Sequence, residues 1–193
     1  MTTRREFVKN TVITSAALGL APALSGALAG CAPSDRINVG LIGCNGMGFG
    51  DLKAFLDHPQ VECIGLCDID ESVLNRRAAD VEKIRGKKPA NLYKDWRKLI
   101  DNKEINVVIV GTPDHWHCLQ MVSACEAGKD VYCEKPIGRT IGECNLMINA
   151  AAKYKRVVQV GQWQRSDPHW QDAVNFIQSG KLGKIRLVRV FSY

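Results

Sequence analysis

The sequence predicts an α/β fold, a doubly wound parallel sheet with helices on both faces, and three observations carry that prediction. Short apolar runs alternate with segments of helical periodicity from Ile37 to Val160, as strand–helix–strand crossovers do. A glycine-rich turn, Gly43 to Gly48, follows the first run directly. Helix signals fall between the runs: Thr140-Ile141-Gly142-Glu143 is a capping box, while Gly86 and Gly128 are stops. The 193 residues are 46% hydrophobic and 24% charged, which excludes a disordered, collagen-like or multi-span membrane protein.

Taken in order, Ile37 to Ile42 is an apolar strand and Met47 to Asp57 a helix with Phe49, Leu52 and Phe55 or Leu56 inward. Val61 to Cys67 is the second strand. The helix from Glu71 to Arg85 turns Leu74, Ala78 and Val81 to one face, with Asp70 as its cap. A short strand near Asn91 to Tyr93 precedes the buried strand Val107 to Val110. His115 to Ala127 is a helix, Asp130 to Cys133 a strand, and the capping box opens a helix toward Lys153. Val157 to Val160 completes the sheet. Asp167-Pro168 then starts a helix with Trp170, Val174 and Ile177 inward, and Ile185 to Phe191 reads as a strand. An apolar strand without a partner invites aggregation. Residues 163–193 are therefore expected to be a linking helix and the first strand of a truncated second domain.

The first thirty residues read as an export signal. Arg4-Arg5 precedes a mild apolar stretch from Val12 to Ala29, resembling a twin-arginine (Tat) signal, and Leu28-Ala29-Gly30-Cys31 resembles a lipobox that lipidates Cys31. The expected product is an exported, periplasmic lipoprotein, handled by the Tat machinery and held to a membrane by its lipid anchor. Beyond residue 30 remain 23 basic and 19 acidic side chains. That small surplus, with no basic run, argues against nucleic acid as a partner. Cys44, Cys63, Cys67, Cys118, Cys125, Cys133 and Cys144 occupy apolar positions and read as core thiols. His115 and His117 lack a third ligand at suitable spacing, so no metal is expected.

The turn Gly43-Cys44-Asn45-Gly46-Met47-Gly48 sits where a phosphate loop belongs. The first glycine of such a loop makes the tight turn, the second admits the pyrophosphate, and the third packs helix on strand. Asn45 stands at the second position, where it is expected to preserve the turn by tolerating left-handed angles. Asp68, 20 residues after Gly48 at the end of the second strand, suits an acceptor for ribose hydroxyls. Its charge would repel a 2′-phosphate, which favours NAD over NADP. Together these features make the first domain, 36–162, Rossmann-like.

Three further segments carry a family resemblance: Val110-Gly111-Thr112-Pro113-Asp114-His115-Trp116-His117, Gly128 to Pro136 with its Glu134-Lys135-Pro136, and Gln159-Val160-Gly161-Gln162-Trp163-Gln164-Arg165. With the loop, they resemble the glucose-fructose oxidoreductase and inositol dehydrogenase (Gfo/Idh/MocA) family over residues 36 to 193. The resemblance implies that Lys135 is the catalytic lysine, hydrogen-bonding the alkoxide that develops as hydride leaves. It also implies cofactor contacts from Thr112, Pro113, His117, Glu134, Trp163 and Arg165, with His117 equally open to a backbone-bonding role at its helix start. Trp116 and Trp170 read as packing residues. A general acid/base His is expected beyond residue 193, His169 standing too early. The activity implied is hydride transfer between a tightly bound nicotinamide cofactor and a secondary hydroxyl of a sugar, cyclitol or glycoside, in a protein that is a homo-oligomer at full length. Two alternatives stand beside it: glycoside cleavage through a transient 3-keto intermediate, and a noncatalytic NAD-binding surface protein.

Overall fold

The computed structural model describes residues 36–191, so Arg4, Arg5 and Cys31 lie outside the described residues. Six strands form one sheet: β1 Ile37–Ile42, β2 Val61–Cys67, β3 Asn91–Tyr93, β4 Val107–Val110, β5 Asp130–Glu134 and β6 Val158–Gly161. Their order is β3-β2-β1-β4-β5-β6, with every pairing parallel. The order reverses between β1 and β4, so the crevice at the switch point opens at their carboxyl ends.

Alternation along the strands sends side chains to both faces. On one face Val39, Leu41 and Leu66 pack under α1 (Gly46–Leu56) and α2 (Glu71–Arg85). On the other, Ile42, Val108, Val131 and Cys133 pack under α3 (Trp96–Asp101), α4 (His117–Glu126) and α5 (Ile141–Tyr154). The expected caps form: Asp70 accepts from Ser72 N and Val73 N, Gly86 ends α2 at φ 72°, and Thr140 and Glu143 close a reciprocal capping box. Cys44, Cys63, Cys67, Cys125 and Cys133 are buried free thiols, whereas Cys118 and Cys144 are only half-buried.

Sequence periodicity misses α3, because six residues are too few to display it. Tertiary packing holds this helix: Gly40 and Gly65 are register partners in β1 and β2, and a Cβ on Gly40 would stand 2.8 Å from Leu99 Cδ2. The two glycines hollow the sheet so that Leu99 and Ile105 can fill it. Asp95 caps the helix through Arg97 N, and the buried Lys129 ammonium donates to Asn102 O and Ile105 O at its far end.

Two expectations fail at the end of the chain. The helix α6 (Pro168–Gln178) forms, yet Trp170, Val174 and Ile177 are not inward; each is 45 to 49% exposed. Residues 185–191 have no regular structure and are exposed. A strand needs a neighbour's N–H and C=O groups, and no described strand pairs with this segment.

Candidate functional site

The turn between β1 and α1 is built by backbone packed on backbone. A Cβ on Gly43 would stand 2.7 Å from the Gly111 carbonyl, one on Gly48 would collide with Gly43 O, and one on Gly111 would collide with Gly48 Cα. Gly43 (φ 86°) and Gly46 (φ 50°) take the left-handed angles. Asn45 does not; at φ −98°, ψ 165° it is extended, so the turn needs no special tolerance there. Its side chain makes no cap to α1, and the first turn of α1 holds no acid. The leading N–H groups are thus left for an anion.

Asp68 braces this loop, Oδ2 accepting from Cys44 N at 2.8 Å and Oδ1 from Asp70 N at 3.0 Å. Each carboxylate oxygen has a second lone-pair site for a ribose hydroxyl. The Cys44 side chain turns into the core, where burial and then Asp68 push its thiol well up; only its backbone serves the loop. Met47 is half-exposed beside it.

A groove of about 620 Å³ runs along the carboxyl ends of β1, β2 and β4, lined among others by Gly43, Asn45, Asp68, Thr112, Pro113 and Trp116. Trp116, read from sequence as a packing residue, is 40% exposed on this wall. The segment entering α3 adds Lys94 to Arg97, which sequence reasoning passed over with the helix itself. Its cations are already engaged: Lys94 pairs with Glu71 at 2.7 Å, and Arg97 pairs with Asp95 and lies 4.6 Å from the Trp96 ring centre. A second hollow, of about 340 Å³, gathers Lys135, Gly161, Gln162, Trp163, Gln164 and Arg165. Lys135, Trp163 and Arg165, 30 residues apart at most in sequence, thus meet beyond β5 and β6. His169 is exposed and hydrogen-bonded to Asp167, and it lines neither cavity.

Two expected cofactor contacts are corrected. His117 is buried, with Nε2 2.7 Å from Thr112 O and Nδ1 2.7 Å from Pro136 O. It ties the loop after β4 to the loop after β5 and lines neither cavity, because its position opens α4 on the inward face. Glu134 is buried as well, Oε2 accepting from Lys135 N at 3.2 Å. At the last residue of β5, strand alternation points its carboxyl beneath the edge. The glycine cradle, the open helix N-terminus and the braced acid fit a dinucleotide, with its phosphates at α1 and its adenosine ribose at Asp68.

A family model described as "Oxidoreductase family, NAD-binding Rossmann fold" matches residues 37–162. Inositol 2-dehydrogenase of Salmonella typhimurium is 32% identical over 154 residues, covering 79% of this chain and 44% of that protein. An alpha-N-acetylgalactosaminidase of Shewanella oneidensis is 26% identical, covering 77% and 33%. Among solved structures, an NAD binding oxidoreductase from Klebsiella pneumoniae superposes with a TM-score of 0.63 at 30% identity, over 77% of this chain and 40% of that one. The chain therefore spans less than half the length of the curated relatives it matches.

Proposed function

Because the chain belongs to the Gfo/Idh/MocA oxidoreductase family, with its NAD-binding Rossmann fold, we propose that it is the cofactor-holding part of an enzyme oxidising a secondary hydroxyl of a sugar or polyol. The observation that carries the reading is the meeting of Lys135, Trp163 and Arg165 in one hollow at the sheet edge that also ends in the dinucleotide groove. Bound NAD supplies the hydride acceptor. The α1 N–H groups hold its phosphates, Asp68 accepts from the ribose hydroxyls, and the paired cations Lys94 and Arg97 offer little to a 2′-phosphate. Lys135 is exposed in its hollow, where its ammonium donates to the substrate oxygen as negative charge develops there. Trp163 and Arg165 line the same hollow and orient the hydroxyl-bearing ring.

The test is single-turnover absorbance of the reduced nicotinamide with inositols and hexoses as substrates, in the protein carrying both domains. Lys135→Ala is expected to keep NAD bound and slow the hydride step about a hundredfold, the usual loss for a transition-state donor. An unchanged rate removes Lys135 from the chemistry. The galactosaminidase relative favours a second reading, in which hydride is taken and returned within one cycle of glycoside cleavage. That enzyme would release the aglycone of a glycoside without accumulating reduced cofactor, so the same absorbance assay, run on an aryl glycoside beside the inositols and hexoses, separates the two.

Arg4-Arg5 and the Leu28-to-Cys31 segment support export by the twin-arginine route and lipid attachment at Cys31, placing the protein in the periplasm. A twin-arginine substrate travels folded, so the cofactor would travel with it, tightly held. At full length the enzyme is proposed to be a homo-oligomer, checked by sedimentation.

A further inference from the structure

The His117 side chain is 1% exposed, and both of its ring nitrogens stand 2.7 Å from a backbone carbonyl, Nε2 from Thr112 O and Nδ1 from Pro136 O. A carbonyl oxygen only accepts. Neutral imidazole carries one N–H, so in either tautomer the other nitrogen would point its lone pair at a carbonyl oxygen within hydrogen-bond distance. A second proton removes that conflict and makes both contacts donated hydrogen bonds. Their length agrees, since neutral N–H···O bonds centre near about 2.9–3.0 Å and those of an ionised donor are shorter.

The charge this implies has no carboxylate partner. Among the described residues the histidine ion pairs are His115 with Asp114 and His169 with Asp167, both on exposed rings. In the turn before α4, Asp114 and His115 face each other at 3.7 Å. On α4, Cys118 donates to Glu143 O of α5, and the Glu143 carboxylate is taken by Arg139 N and Thr140 N. Gln120, one turn along α4, accepts from the Thr112 hydroxyl. On β5, burial pushes the Cys133 thiol up to about 12, so it stays neutral, and Glu134 accepts from Lys135 N. The two carbonyls therefore hold the imidazolium by themselves, hydrogen bonds to the charged form offsetting the burial that opposes it.

We propose that His117 is a positioning residue that carries a proton on both ring nitrogens, and that this buried cation clamps the loop after β4 to the loop after β5, fixing Lys135. Lys135 is held from both sides. Its own N–H is taken by Glu134 Oε2 at 3.2 Å, and the carbonyl of the next residue, Pro136, is taken by His117. Proline has no N–H, so that carbonyl is the hydrogen-bonding group by which Pro136 can be anchored. The other end of the clamp holds Thr112, which lines the dinucleotide groove. One ring thus sets the spacing between the cofactor groove and the hollow of Lys135, and loss of either proton opens one end of the clamp.

The charge is tested by nitrogen NMR of the full chain, isotope-labelled in its four histidines. His58, His115 and His169 are exposed, so slowly exchanging ring N–H signals belong to His117. Two such signals, one from each nitrogen, are expected at about pH 6, inside the range where histidine titrates. A single one overturns the doubly protonated clamp. The positioning role rests on the proposed function and is read from hydride transfer in the two-domain protein. His117→Gln, whose amide nitrogen can donate to one of the two carbonyls, is expected to slow that step about tenfold with NAD still bound. In the native enzyme the rate is expected to fall as rising pH removes one ring proton, a fall missing from His117→Gln. A variant with the native rate and pH profile overturns the positioning role. Should the variant not fold, the native enzyme decides, since a rate that holds while one N–H signal disappears also overturns it. Two protected signals in a protein that transfers no hydride keep the charged clamp and overturn the proposed function.

Discussion

One carboxylate of Asp68 braces the phosphate loop through Cys44 N and the next turn through Asp70 N, and it lines the groove proposed for the adenosine ribose. Truncation would confound these, whereas Asp68→Asn keeps an acceptor for the loop and removes the charge. NAD affinity is then expected to fall by about 1.5–3 kcal/mol, roughly ten- to hundredfold, the worth of a charge-assisted hydrogen bond. NADP affinity is expected to fall less or to rise, since repulsion of the 2′-phosphate goes with the charge. Calorimetric titration with both cofactors checks it, and an unchanged preference would remove Asp68 from cofactor choice. His117 shows the opposite division: a residue that looks like a site ligand in the motif is an interior tie between two site loops.

At the scale of elements, the site depends on how closely α1 approaches the sheet. Gly43, Gly48 and Gly111 come from three segments and leave no room for a methyl group between them. Gly48→Ala is therefore expected to push the start of α1 off β4, lowering stability by about 1–3 kcal/mol, the usual cost of overpacking, and abolishing measurable NAD binding. Gly46→Ala is a useful contrast, since a Cβ there meets nothing and only the φ of 50° is disfavoured. Urea midpoints beside NAD titrations distinguish the two, and a Gly48→Ala chain that binds NAD normally would disprove the close-approach argument. The helix α3 belongs to this scale as well, since it brings the segment from Lys94 to Arg97 to the rim of the groove.

For the whole molecule, binding and turnover are expected to separate. The chain carries the phosphate loop, Asp68 and Lys135, while its relatives are more than twice as long as the matched region. The 193-residue chain is expected to bind NAD and ADP-ribose with similar, weakened affinity, because the adenosine half keeps its contacts, and to reduce no NAD with any sugar. Sugar-dependent reduction by this chain would place its catalytic base within these residues. Exposed apolar side chains on α6 and over residues 185–191 are expected to make it aggregate at high concentration, read by light scattering. Export is tested on the precursor: replacing Arg4 and Arg5 with Lys is expected to hold it in the cytoplasm, and normal secretion of that variant would refute the twin-arginine assignment.

The amino-acid order alone determined the alternation of strands and helices, the loop at Gly43, the capping box at Thr140 and the acid at Asp68, because each is a local pattern whose physics acts within a few residues of chain. It also placed Lys135, Trp163 and Arg165 after the two strands that bring them together. Tertiary structure decided what no local pattern measures: which atoms approach across the chain. Burial of His117 and Glu134 follows from where their elements meet the sheet. The hollow for Leu99 needs two glycines from neighbouring strands. The same reason governs the failed expectations. The apolar face of α6 and the run from Ile185 to Phe191 carry the right periodicities, but periodicity states only that a surface seeks a partner, and the partner must come from elsewhere in the fold.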